Sequence, residues 1–363
     1  MVKRKVGALE KVEADLTALQ NKCRRDPQSY ITDFQNQYTQ YRSLFTIFQQ
    51  NPLSASSNQI FSLRELIDFV AHVADAYPKQ TADFPNDLID ILHKHHAELD
   101  PELREKIVGS LVLLRNKDVI DSSKLLNALF PILVATPSKA LRQLVFQKIL
   151  SDLRSSNAKT KNHKLNRDTQ NRLFELLTGD RESPKGLWAV KITRELWKRQ
   201  IWTESKAVEI MKEAALSDNP KISAGGVRFF LGGDKEREEA ADESDSDDDG
   251  IDMRQLKHVA GINKKTSKRE KELKDAAKKV KRKQKKTNAP HPLNFSALHL
   301  LHDPQGFAEK LFDKHLKNTK SRLDHEQKLE CLSLVTRLVG LHKLTLDALY
   351  SWFLKYVQDP THV

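Results

Sequence analysis

Apolar residues along most of this chain return every three or four positions. Leu63, Leu66, Ile67, Val70, Val73, Ala74 and Tyr77 step in that way, with Tyr77-Pro78 as the expected stop. Leu103, Ile107, Leu111 and Leu114 do the same, and Leu141, Leu144, Val145, Ile149 and Leu153 repeat the pattern. Such spacing gathers side chains on one face of an α-helix. Polar residues punctuate the apolar ones. Asp26-Pro27, Asp100-Pro101, Thr136-Pro137, Ser183-Pro184, Asn219-Pro220 and Asp303-Pro304 each place a small polar side chain before proline. The oxygen of such a side chain accepts from the unpaired N–H groups of a helix's first turn. Proline in the next position has no N–H to leave unpaired, and its φ is already helical. Ser62 with Glu65 predicts a capping box. Together these signals predict helices starting near 62, 85, 101, 121, 138, 164, 184, 203 and 220. A helix pair then takes about forty residues, the period of HEAT and armadillo repeats. The expected fold is all-α, a HEAT/armadillo-like helical solenoid. No strong identity links one repeat to the next, so an irregular helical domain stays open beside it.

Composition agrees with helices and adds charge. Apolar residues make up 39% and charged residues 30% of the 363, so much of the chain must face water. Only 12 residues are glycine, which leaves few positive-φ turns for hairpins and weighs against sheets and barrels. The net charge of +12 suits a polyanionic partner, and an ordinary basic soluble protein is the plainer alternative. Cys23 and Cys331 are too few for a disulfide framework, so a reducing compartment is expected. The basic N-terminus is interrupted by Glu10, Glu13 and Asp15 and does not read as a signal peptide. The longest apolar run, Leu129 to Ala135, is far short of the ~20 residues of a membrane span.

The helical pattern, expected over 1–231, then breaks. Residues 234–252 hold 11 acidic and 2 basic side chains and almost nothing apolar, which predicts a disordered acidic linker over 232–262. Within it Ser244 and Ser246 each have an acidic residue three positions on, the pattern of acidophilic phosphorylation; a solubilising spacer is the alternative. Residues 263–292 form a basic arm in which a helix can form. Lys264, Lys265, Lys268, Arg269, Lys271, Lys274, Lys278, Lys279, Lys281, Arg282, Lys283, Lys285 and Lys286 give it 13 cations against 3 carboxylates. Such an arm releases counterions from phosphates and binds RNA regardless of sequence. Lys278, Lys279, Lys281, Arg282 and Lys283 also read as a nuclear localisation patch, while an inert solvated run remains the plain reading. Outside the two blocks the other 321 residues still carry +11. Helices are expected again at Phe295–Leu301, Pro304–Leu316, Leu323–Leu341 and Leu344–Val357, in a region spanning 293–363. The closing Asp359-Pro360 repeats the helix-start signal, so a further helix is expected beyond it.

Catalytic patterns are missing. No GxxxxGK[ST], GxGxxG or GxSxG occurs, the pairs Gly225-Gly226 and Gly232-Gly233 stand alone, and His325-Glu326 lacks the second histidine of HExxH because position 329 is leucine. His93, His95 and His96, flanked by Asp90 and Glu98, spread over a wide helical arc and read as polar surface rather than a metal site. Trp188, Trp197 and Trp202 lie among Lys191, Arg194, Lys198 and Arg199. Leu187, Val190, Trp197 and Ile201 are spaced as a core stripe, which favours packing over base stacking. The expectation is a protein that is not an enzyme and has no cofactor, metal or small-molecule substrate.

Longer strings carry a resemblance. Cys23-Arg24-Arg25-Asp26-Pro27-Gln28-Ser29-Tyr30, Pro101 to Lys106 running on to Leu114-Arg115-Asn116-Lys117-Asp118, and Lys164-Leu165-Asn166-Arg167 are three of them. Gly186-Leu187-Trp188 with Arg194-Glu195-Leu196-Trp197, Arg228-Phe229-Phe230-Leu231-Gly232, Ile262 to Arg269, and Asp303-Pro304-Gln305-Gly306-Phe307-Ala308-Glu309 follow in order. In these the chain, from about residue 20 to its end, resembles the severe-depolymerization-of-actin family of eukaryotic nuclear proteins. The resemblance implies an assembly and nuclear export factor of the large ribosomal subunit in the nucleolus and nucleoplasm. Its partners would be precursor rRNA, precursor particles, and ribosomal and assembly-factor proteins, with no membrane. It implies chains that continue well beyond residue 363 and no catalytic residues. The competing class is a solenoid adaptor in protein transport or actin cytoskeleton organisation that touches no RNA.

Overall fold

The computed structural model describes residues 16–50, 52, 56–232, 296–318 and 321–358, with only the backbone of 355–358. All regular structure among the described residues is helical, as the apolar spacing predicts. In order the helices are α1 (16–25), α2 (Ile31–Gln50), α3 (Ser57–Val73), α4 (Phe84–His95), α5 (Pro101–Asn116), α6 (Ser122–Ala135), α7 (Lys139–Ser156) and α8 (His163–Thr178). A 3-10 turn at Pro184–Gly186 leads into α9 (Leu187–Lys198), followed by α10 (Ser205–Ala215) and α11 (220–232). After residue 296 come a 3-10 turn at Ala297–Leu300, α12 (Pro304–Leu311) running into a π-helical turn at Phe312–Lys317, α13 (His325–His342) and α14 (Asp347–Gln358). The acidic stretch 234–252, the basic arm and the closing Asp359-Pro360 lie outside the described residues.

Four of the six polar–proline pairs cap as expected. Asp100 accepts from the N–H groups of Glu102 at 2.9 Å and Leu103 at 3.4 Å, and Asp303 accepts from Gly306 at 2.8 Å. Asn219 accepts from Lys221 at 3.1 Å, and Ser183 caps the 3-10 turn. The other two do something different. Asp26 closes a turn by accepting from the Ser29 N–H and hydroxyl, and the helix begins only at Ile31. Thr136 ends α6, while Ser138 caps α7. The capping box expected at Ser62 and Glu65 is instead formed by Ser56 and Gln59, six residues earlier, with Ser62 inside α3. Both sites fit the S/T-x-x-E/Q rule. The helix takes the earlier one because Ile60 and Phe61 continue the inward-facing stripe N-terminally.

The chain divides into two compact units between Thr169 and Gln170, within α8. In the first, α3 packs on α5 and α5 on α7, while α4 packs on α6; α4–α5, α5–α6 and α6–α7 contacts tie the two rows together. This alternation of two stacked layers makes an all-α solenoid. The stripes read from sequence are its core: Leu103, Ile107, Leu111 and Leu114 are fully buried, as are Leu63, Ile67 and Val70. An aromatic seam joins α2 to its neighbours, with Phe34 stacked on Tyr77 at 4.1 Å between ring centres and Tyr41 edge-on to Phe84 at 5.2 Å. One charge enters the interior. Asp152 on α7 is buried and meets Arg115 of α5, which also donates to Ser122 at 3.0 Å and Ser156 at 2.7 Å. Burial pushes the Asp152 carboxyl above its ordinary value, and the Arg115 charge opposes that rise.

In the second unit α9 packs on α10, and α12 with its π-helical turn packs on α13. The isolated pair Gly225-Gly226 has a packing reason. A Cβ on Gly226 would lie 2.4 Å from the Ala215 nitrogen, so glycine lets α11 approach the end of α10. Scarcity of glycine shows elsewhere: Asp118, Gln200 and Lys343, with φ near +55°, take left-handed positions where glycine is usual.

Candidate nucleic-acid interface

Every residue assigned from sequence to RNA binding, nuclear import or phosphorylation, from Ser244 and Ser246 through Lys264 to Lys286, lies outside the described residues. What the structure gives is the frame that holds both ends of 233–295. The segment starts at the end of α11, where Arg337 of α13 donates to the Leu231 carbonyl at 3.1 Å. Arg228 forks onto both oxygens of Glu330 at 2.8 and 3.0 Å, and Phe230 packs on Phe307 with ring centres 5.4 Å apart. Where the chain returns, Ala297 and Leu298 are buried, and His342 meets the Leu298 carbonyl at 3.1 Å. Buried His315 meets the Ala215 carbonyl at 2.9 Å, with Lys314 bound to the Leu216 carbonyl and to Asp218. Burial holds the His315 imidazole below its ordinary value.

The histidine cluster behaves as polar surface. His93 bonds the Ala128 carbonyl at 2.8 Å, His95 pairs with Glu98 at 3.0 Å, and His96 turns to the His93 carbonyl. No group of ligands fit for a metal occurs among the described residues. Trp197 and Trp202 are buried, and Trp197 lies edge-on to Phe229, in line with the core reading. Trp188 is half-buried with the Lys191 ammonium 4.6 Å from its ring centre. No helix among the described residues is long and apolar enough to cross a membrane.

Sequence reasoning missed one basic surface. From Arg154 to Arg167 the chain carries Arg154, Lys159, Lys161, Lys164 and Arg167, with His163, and no carboxylate. These side chains are all exposed on the end of α7, the following loop and the start of α8. The loop is built around two asparagines. Asn157 and Asn166 donate to each other's carbonyl oxygens at 3.0 and 2.8 Å. Asn157 also donates to the Leu153 carbonyl at 2.7 Å and accepts from the Asn162 N–H at 3.0 Å, while Asn162 accepts from Leu165 and caps α8. The signal that finds this surface is an acid-free run of bases crossing a helix junction. Lys164 to Arg167 entered the sequence reading only as part of a resemblance.

The chain matches the family model described as "SDA1, HEAT repeat" over residues 69–362. It is 60% identical over 357 residues to Protein SDA1 of Chaetomium thermophilum, covering 98% of this chain and 46% of that protein. It is 44% identical to Protein sda1 of Schizosaccharomyces pombe, covering 98% and 51%, and 37% identical to the Protein SDA1 homolog of Drosophila melanogaster, covering 95% and 47%. The chain spans about half the length of these curated relatives.

Proposed function

We propose a function for this chain, which belongs to the SDA1 HEAT-repeat family: it is a non-enzymatic scaffold that assembles the large ribosomal subunit precursor in the nucleus and supports its export. Family membership carries this reading, through the role that the resemblance implies. Two physical features support it. A stack of helix pairs offers a long surface to several proteins at once. The net charge of +12, of which +11 lies outside the acidic and basic blocks, suits a particle made largely of RNA. In this reading the arm 264–286 supplies sequence-independent RNA affinity, Lys278 to Lys283 direct nuclear entry, and phosphorylation of Ser244 and Ser246 adds charge that competes with RNA for the arm. Gradient sedimentation of nuclear extract tests the reading. The protein should travel with large-subunit precursor particles and leave them on ribonuclease treatment. Sedimentation with actin or transport complexes, unaffected by ribonuclease, would replace it with the adaptor function.

A further inference from the structure

We propose that the α7–α8 loop is a preformed clasp for the RNA phosphate backbone, a fixed contact on the solenoid separate from the basic arm. The inference rests on the RNA-scaffold reading and gives that reading a place on the folded body. Arg154, Lys159, Lys164 and Arg167 form no ion pair among the described residues. Several bases of the neighbouring helices do. Arg115 meets Asp152, Lys117 meets Asp75, Lys106 meets Asp68 and Arg64 meets Glu102. Like charges held close together without a counter-charge repel, so the loop is an unfavourable arrangement unless an outside anion completes it.

The loop is held in place for that task. The mutual Asn157–Asn166 amide pair and the Asn162 cap fix the backbone carrying Lys159 and Lys164, and the helices on either side carry Arg154 and Arg167. The first turn of the sixteen-residue α8 adds the positive end of its dipole to the same place. The side chains between the cations are Ser155, Ala158, Thr160 and Asn162, all exposed. These are small groups, and Thr160 and Asn162 can donate to phosphate oxygens, while the Ser155 hydroxyl donates to the Asp152 carbonyl. A protein partner would need a buried aromatic or aliphatic anchor, and none is exposed between Ser151 and Arg167. Several cations and small donors with no apolar centre match a repeating phosphate chain better than an acidic protein.

The test uses the full chain and a fourfold variant, Arg154→Gln, Lys159→Gln, Lys164→Gln and Arg167→Gln. Binding to a 20-nucleotide single-stranded oligouridylate is titrated at 50, 100 and 200 mM salt, with polyglutamate as a second probe. Four phosphate contacts contribute about −3 to the slope of log affinity against log salt. Between 50 and 200 mM the wild type should therefore lose about fifty-fold more affinity than the variant. A charge-keeping control, Arg154→Lys with Arg167→Lys, should retain the wild-type slope. Matching thermal unfolding of all three shows that folding is unchanged. If the wild type binds RNA and travels with precursor particles while the fourfold variant keeps its affinity and slope, the clasp is overturned and the scaffold reading stands. If the variant loses polyglutamate binding and keeps RNA binding, the loop is a site for acidic protein and the clasp is overturned. If the wild type neither binds RNA nor sediments with particles, the scaffold reading falls and the clasp with it.

Discussion

The helical row α3, α5 and α7 carries arginines and lysines at both ends, and the two ends use them differently. Along α3 and α5 most cations have a carboxylate within reach, and Arg104 instead donates to the His96 carbonyl at 3.0 Å. Arg64 reaches Glu65 and Glu102, Lys106 reaches Asp68 at 3.1 Å, and Lys117 reaches Asp75 at 2.7 Å together with the His72 carbonyl. From the last turn of α7 through Arg167 no carboxylate interrupts the bases. Both regions carry several bases. What separates them is the sign of the residues that the fold sets opposite. The first region is closed within the molecule, and the second is open to a partner.

The comparison breaks most sharply at the junction, where Arg115 meets the buried Asp152. Arg115→Ala leaves that carboxylate unpaired and should lower the unfolding free energy by about 3–5 kcal/mol, read by urea denaturation near neutral pH. The pH dependence has a definite sign. Asp152 is raised in the folded state, so the native form binds the proton more tightly than the unfolded chain. Its contribution therefore favours folding below the ordinary aspartate value and is lost as pH rises through the folded value. The variant should recover part of its stability on acidification into that range, more than the wild type does.

Asn157→Ala should have the next largest effect. It strips the amide partner from Asn166 and the acceptor from the Asn162 N–H, at a cost of about 1–3 kcal/mol. Amide exchange should rise in the α7–α8 loop while the α3–α5 region stays as protected as before. Equal acceleration in both regions would show that the loop is not built independently of the ion-paired end.

Lys106→Gln should do least. Its pair with Asp68 is partly exposed and of the kind worth about 0–1 kcal/mol. Thermal unfolding should shift little, and the salt slope for RNA should stay at the wild-type value. A flattened slope would mean that the ion-paired end also binds phosphate, and the contrast between the regions would disappear.

Much of the fold was legible because its signals are local. A polar residue before proline and an apolar step of three or four need only one helix to be read, so Asp100, Asn219 and Asp303 cap where expected. Ser62 failed because two candidate boxes lay in one window, and only packing of Ile60 and Phe61 chooses between them. The α7–α8 surface was illegible for a different reason. Its rigidity depends on Asn157 meeting Asn166 nine residues on, and its open charge depends on which carboxylates neighbouring helices bring, neither of which has a sequence period. The arm and the phosphoacceptor serines were read from composition alone, and the described residues give only the two ends of the segment that holds them.

Those two ends give the molecule a property of its own. Residues 170–232 and 296–358 interlock through Phe230 on Phe307, the Arg228–Glu330 fork and His315 under the end of α10. A protease site engineered into 233–295 should therefore yield a split protein whose fragments copurify, held by a folded seam with no peptide bond across it. The seam has its own pH limit. His315 packs in neutral form and its imidazole sits below the ordinary histidine value, so the separated fragment takes up a proton more readily than the joined one. Reassociation should be complete above the ordinary histidine value and weaken as pH falls through it, turning an internal packing contact into an acid-sensitive clasp between two polypeptides.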